Sequence, residues 1–270
     1  FLNEKFTEEG MNKESIIFFL DLIFNPYIKD NSFVNIEIQK NKLRQEILSI
    51  KDNKVKYSIF KLMEKIKGKP YSYNSFGSIE DLDEIIGKTL YEYYQKVLKE
   101  DQIDIFVLGD FDSLEIKEIF KEYFKITTFK KENKNILVPE LNPRKRLVRY
   151  REYDNVNQAQ LIALCNLNNL NDYERKYVIK LYNELLGGSS NSILFKTVRE
   201  KNSYCYYINS SVKAYDNILI IYSGVEDKNI DKCIKLIKKS LKDIRDGKIK
   251  DEDIESSKNT IISSIKSVSD

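Results

Sequence analysis

The chain has 270 residues, 41% hydrophobic and 32% charged, and 45 basic against 42 acidic side chains leave a net charge of +3. That length accommodates two domains of ~100–150 residues, each able to bury a core; the balanced charge leaves no basic footprint for nucleic acid, and no apolar run reaches the ~18 residues of a membrane span. There is no histidine, which removes Ser-His and Cys-His nucleophile pairs, imidazole bases and His-ligated metal sites from anything the chain does alone.

Taken in order, Asn12 to Phe24 carries Ile16, Ile17, Leu20, Ile23 and Phe24 at helical spacing, with Pro26 as the stop. Its run "SIIFFLDLIF" is too short for a span and contains Asp21, and no signal-peptide pattern is visible. Phe33 to Lys67 predicts a second helical stretch, broken near "KDNK" at Lys51–Lys54. "GKPYSYNSFGS" is a loop by its Gly, Pro, Asn and Ser content, and Ser78 with Glu80 and Asp81 starts the next helix. A further helix covers "LYEYYQKVL"; "IDIFVLGDF", Ile103 to Phe111, predicts a strand, and "SLEIKEIFKEYF" the helix after it. Strands are expected at "LVRYREY" and "AQLIALCNL", then a helix in "DYERKYVIKLYNELL" with Gly187 as its C-terminal cap. Two more strands are expected near Tyr204–Val212 and Asn217–Ser223, and a helix from Ile230 to Arg245.

The Lys-, Asn- and Pro-rich stretch from Lys125 to Arg146 reads as a linker. It divides the chain into a first domain at 1–126, the linker at 127–145 and a second domain at 146–270. "IDIFVLGDFDSLEIKEIFKEYF" and "NILIIYSGVEDKNIDKCIKLIKKSL" share one order of apolar strand, Gly, acid and amphipathic helix, so the two halves read as related α+β domains. The chain begins at Phe1 and ends in helical "IISSIKSVSD", as a piece of a longer protein would, with the first domain incomplete at its start and the second at its end. Cys165, Cys205 and Cys233 form no CxxC pair, which argues against a thiolate metal site and for a reducing, cytoplasmic setting.

The sharpest feature is "LLGGSSNSILFKTVREKNSYCYY", Leu185 to Tyr207, where Arg199 in a helix is followed seven residues later by Tyr206 in a strand. A rigid fork of N–H donors and one phenol O–H, aimed at one point, can hold a peptide carbonyl and the oxyanion formed on attack. The same residues also fit a helix-terminal Arg in an ion pair and a half-buried strand Tyr. With its "LLGG", small residues, "LF" and Arg/Tyr spacing, this stretch resembles the second-domain signature of the pitrilysin/insulinase family of zinc peptidases, which includes the mitochondrial processing peptidases. "FNPYIKDNSFVNIEIQKNKLRQEI", "KPYSYNSFGSIEDLDEI" and "IDIFVLGDFD" resemble that family's first-domain segments, in the same order, from about Ile16 onward.

The resemblance implies duplicated α+β domains, each an antiparallel β-sheet with helices packed on one face. It implies an H-x-x-E-H zinc motif in active members, whose His residues bind the metal and whose Glu acts as general base. That motif would fall before Phe1. The third metal ligand is by position Glu46, which reads equally as a solvated Glu on an amphipathic helix. Family members carry another acid seven residues before it, where this chain has Gln39, and a neutral amide cannot supply that charge. Gln158 matches a strand Gln common in the family and is a candidate to orient substrate backbone, or faces water. The implied function is a peptide-binding, non-catalytic subunit or a piece lacking H-x-x-E-H, with Arg199, Tyr206 and Gln158 on the peptide or small-protein substrate. Zinc then belongs to the complete protein or complex, the partner being a related catalytic subunit or a second copy. Two alternatives stand beside it: an interaction or scaffold protein on the same fold without a catalytic share, and an unrelated α+β binding module.

Overall fold

A computed structural model describes residues 8–66, 70–109, 112–126, 146–167 and 169–269. The chain divides into two units, Phe1–Ile47 with Phe76–Asn135, and Leu48–Ser75 with Ile136–Asp270. The expected linker at 127–145 lies outside the described residues. Among the described residues no helix is long and apolar enough to cross a membrane.

In the first unit, α1 (Met11–Phe24) and α6 (Ser113–Phe124) pack through Ile16, Leu20, Ile116 and Ile119. The end of this contact is fixed by Phe24 edge-on to Phe124, centroids 4.9 Å apart, and by the Tyr123 hydroxyl donating to Asp21 at 2.8 Å. A two-residue ribbon, β1 (Ile28–Lys29) and β2 (Ser32–Phe33), sets Phe33 against Tyr91 and Tyr94 of α5 (Gly87–Glu100). Lys40 of α2 (Ile36–Ser49) is buried, and its ammonium donates to the carbonyls of Asp83 and Ile85 at 3.1 and 2.9 Å. Those carbonyls close α4 (Ile79–Glu84), whose negative helix end favours a cation. At the other end of α4 the Ser78 hydroxyl accepts from the Asp81 N–H at 3.1 Å, the cap that the sequence signals.

The stretch expected as a strand at Ile103–Phe111 is a correction. Residues 103–108 make no ladder with any described residue, and Phe106 and Leu108 stand exposed; Asp110 and Phe111 lie outside the described residues. Apolar alternation supplies a strand's side chains, while a strand exists by the backbone hydrogen bonds of a neighbour. The expected strand at Leu147–Tyr153 is corrected for the same reason. Its side chains do alternate in direction: Tyr150, Glu152 and Asp154 meet Lys65, Tyr57 and Lys54, whereas Arg149 pairs with Asp231 at 2.9 Å.

The second unit is built on a three-stranded antiparallel sheet ordered β3-β5-β4: β3 (Ala159–Asn166), β5 (Ile218–Val225) and β4 (Cys205–Lys213). On one face Leu161, Ala163, Ile208, Leu219, Ile221 and Val225 meet α8 (Ile230–Arg245) through Cys233 and Ile237, and a helical run through Leu186, Leu194 and Val198. That run begins with a π turn at Glu174–Val178, continues through α7 (Ile179–Asn183) and a π turn at Glu184–Gly188, and resumes in a third π turn at Phe195–Glu200. The other face is covered as well. Met63, with Ile59, of α3 (Lys54–Glu64) packs on Ile162, Leu164, Ile218 and Ile220, so helices lie on both sides of this sheet. The α+β class with antiparallel sheets is as the sequence implied. The last helix, α9, runs Asp251–Ser269.

Gly187 is needed for a reason other than capping. Its φ of −161° is extended backbone that any residue adopts. An added Cβ would instead lie 2.7 Å from the Ser210 hydroxyl and 2.8 Å from the Ser210 backbone nitrogen on β4. Glycine therefore lets the helix end against the strand.

Two stability measurements follow from this packing. Met63 is 4% exposed, and Met63→Ala should lower unfolding free energy by about 2–5 kcal/mol in urea titration; a change near zero would show that α3 does not cover the sheet. Gly187→Ala should cost about 1–3 kcal/mol from overpacking against a strand that cannot retreat, read as a fall in the thermal midpoint.

Candidate functional site

The candidate site lies at the end of the sheet where Ala159, Val225 and Cys205 stand in one row. The third π turn delivers Arg199 there. π turns widen a helix and are frequent at functional positions. Arg199 is exposed, and its guanidinium carbon sits 4.7 Å from the centroid of the Phe195 ring one turn earlier, a cation–π contact that limits the side chain's freedom. The chain then reverses sharply. The Ser203 N–H donates to the Arg199 carbonyl at 2.9 Å and the Tyr204 N–H to the Val198 carbonyl at 3.1 Å. Ser203 takes a left-handed φ of 52° to do so.

β4 opens with a bulge. Cys205 faces Val225 and Tyr207 faces Gly224, so Tyr206 has no opposite residue. A bulged residue escapes the alternation of its strand and can be re-aimed. Tyr206 is 57% exposed, while Cys205 before it is buried. The Tyr206 hydroxyl donates to Glu226 Oε1 at 3.2 Å, and Glu226 Oε2 pairs with Lys228 Nζ at 2.6 Å. Lys228, by hydrogen bond and charge, and then the Tyr206 hydroxyl hold the Glu226 carboxyl below its usual range.

Behind the bulge, the Cys205 thiol is pulled down to about 7 by its interaction with Cys233, by Ser223 and by the positive charge of Arg199, against the opposing effect of burial. Cys233 is pushed up by Cys205 and by burial, and its Sγ lies 3.5 Å from the Tyr204 carbonyl. Each of the two motif residues has a partner of its own, Phe195 for Arg199 and Glu226 for Tyr206.

Gln158 stands one residue before β3 at the same end of the sheet. Its side chain lies over Gly224, where an added Cβ would come within 2.3 Å of Gln158 Nε2 and 2.4 Å of the Tyr207 ring. Gln158 Nε2 is buried without a hydrogen-bond partner among the described residues, a costly state for a donor. Gln160 next to it accepts from the Tyr207 hydroxyl.

Glu46 is on α2, exposed, two turns from the equally exposed Gln39. Among the described residues no three His, Cys, Asp or Glu side chains are placed to hold a metal. With no His in the chain, the donors present do not fit a zinc site of the family's kind. The motif spacing did not reveal Glu226 or the bulge. Their traces in the sequence are the acid after Gly224 in the repeated strand-Gly-acid-helix order, and the broken alternation of "YCYY".

A family model described as the peptidase M16 inactive domain matches residues 85–261. Over 268 residues the chain is 29% identical to a probable inactive metalloprotease, YmfF, of Bacillus subtilis, covering 96% of this chain and 62% of that protein. It is 28% identical over 189 residues to an uncharacterized zinc protease, YmxG, of the same organism, covering 69% of this chain and 44% of the relative. The chain therefore spans less than two thirds of the length of these curated relatives. A crystal structure of a conserved protein from Enterococcus faecalis V583 superposes with a TM-score of 0.82 at 28% identity, over 96% of this chain and 62% of the other. The M16 inactive domain from Pseudomonas fluorescens, at 16% identity and a TM-score of 0.71 over 95% of this chain and 61% of its own, shares the fold. These matches agree with the order of motifs in the sequence: the chain belongs to the M16 peptidase inactive-domain family.

Proposed function

We propose that this chain is the peptide-binding, non-catalytic part of an M16-type peptidase, and that Arg199 and Tyr206 hold the main chain of an extended peptide. The observation that carries this reading is the corner itself. A π turn and a bulge at the row Ala159, Val225 and Cys205 turn a guanidinium and a phenol outward, although strand alternation would have put Tyr206 on a packed face. Among the described residues β4 is an edge strand, and an extended peptide adds to such an edge by main-chain hydrogen bonds. Gln158, whose Nε2 has no hydrogen-bond partner among the described residues, stands at the same end as a further candidate for the peptide backbone.

Zinc and a general base, where the complete protein or its complex uses them, come from outside this sequence or from a related catalytic subunit. Glu46 contributes to metal only in that setting. The three cysteines are free, which supports a reducing, cytoplasmic location.

A scaffold without a catalytic share is the second reading, favoured by the partners that Arg199 and Tyr206 already have within the chain. Anisotropy of a fluorescein-labelled casein peptide on the intact protein separates the two. Losing a charged hydrogen-bond donor costs about 1.5–3 kcal/mol, so Arg199→Ala should weaken binding by about ten- to a hundredfold with an unchanged thermal midpoint. Equal affinity of wild type and Arg199→Ala would favour the scaffold.

A further inference from the structure

We propose that Glu226 is the positioning residue of this corner: it accepts the hydrogen bond of the Tyr206 hydroxyl and so turns the phenol's lone pairs outward, and Tyr206 meets a peptide as the acceptor of a backbone N–H. The inference rests on the peptide-binding reading and adds to it the chemistry of one contact.

A phenol has one proton to donate and lone pairs with which to accept. Here the proton is committed to Glu226 Oε1 at 3.2 Å. Glu226 follows the last residue of β5, Val225, which faces Cys205 across the ladder. The acceptor is thus anchored to the central strand, and the phenol to the bulge opposite. Lys228 holds the second carboxylate oxygen at 2.6 Å and favours the ionised form, which can only accept. A tyrosine 57% exposed on a bulge has little else to fix its direction. The guanidinium of Arg199 has donors only. The corner therefore offers one donor group and one acceptor, the pair needed to read a carbonyl and an N–H of an extended main chain.

The test uses the intact protein in four forms: wild type, Glu226→Ala, Tyr206→Phe and the double variant. The probes are a fluorescein-labelled casein peptide and a set of the same peptide N-methylated at one backbone position each. A net hydrogen bond of about 0.5–1.5 kcal/mol corresponds to a loss of roughly two- to tenfold for Glu226→Ala when Tyr206 is present. No further loss is expected when residue 206 is Phe, and thermal midpoints should be unchanged throughout. Glu226→Gln, which keeps an acceptor oxygen, should restore most of the affinity. One N-methyl position should weaken binding to wild type and leave Tyr206→Phe unaffected. Equal losses from Glu226→Ala in both backgrounds, or N-methyl effects indifferent to residue 206, overturn the role of Glu226 and leave peptide binding standing. Tyr206→Phe with wild-type affinity overturns the peptide contact of Tyr206 itself, and the Glu226 proposal with it.

Discussion

The pairing of β5 with a strand on each side is the constraint on which the second unit depends. Seven of its eight residues, Ile218 to Val225 with the exception of Tyr222, are buried. Its odd and even side chains serve two different cores, one reaching α8 through Leu219, Ile221 and Val225, the other reaching α3 through Ile218 and Ile220. A strand with both faces covered reads as a continuous apolar run, as "ILIIYSGV" does. Each large side chain buried here contributes about 1.5–3 kcal/mol. The position of everything at the row Ala159, Val225 and Cys205 is inherited from this strand.

The polar groups of the proposed binding corner lie where that regularity stops. The bulge between Cys205 and Tyr207 adds one residue to β4 and so releases Tyr206 from the packed faces. The strand itself ends at Val225, and the next residue, Glu226, accepts the hydrogen bond of the Tyr206 hydroxyl. On the helical side the π turn brings Arg199 to the same corner, where its charge adds to the larger effect of Cys233, and to that of Ser223, in holding the Cys205 thiol down. A rigid sheet thus fixes the ends of short irregular segments, and the irregular segments carry the polar groups. This division suits the proposed peptide-binding role, since a preformed surface binds a flexible peptide without reorganising.

Helices were the legible part of the sequence, because their signals are local. The 3.6-residue spacing, the cap at Ser78 and the stop after Phe24 all act within a few residues, and α6 and α8 have the bounds that their apolar patterns predict. What could not be read is non-local. "IDIFVLGDF" has the composition of β5 without a neighbour among the described residues to make it a strand. Nor does the α3 sequence show that its Met63 face covers a sheet formed ~100 residues later in the chain, since periodicity gives the apolar face of a helix and not its partner. The Arg199 and Tyr206 spacing was visible. The bulge that gives the spacing its meaning depends on register with β5, and Glu226 depends on where that strand ends. Gly187 shows the same limit: the glycine was legible, but its cause is the Ser210 backbone across the turn.

The family places the chain among M16 inactive domains, and the absence of histidine means that a zinc centre of the family's kind cannot be assembled from these residues alone. The proposed role is therefore peptide binding at one corner, and amide hydrogen exchange of the intact protein with and without a saturating casein peptide reads that binding residue by residue. Slowed exchange confined to the turn and the first residues of β4, from Arg199 to Tyr207, is the predicted result. Unchanged exchange in that segment, with protection appearing elsewhere or nowhere, would rule out peptide binding at this corner.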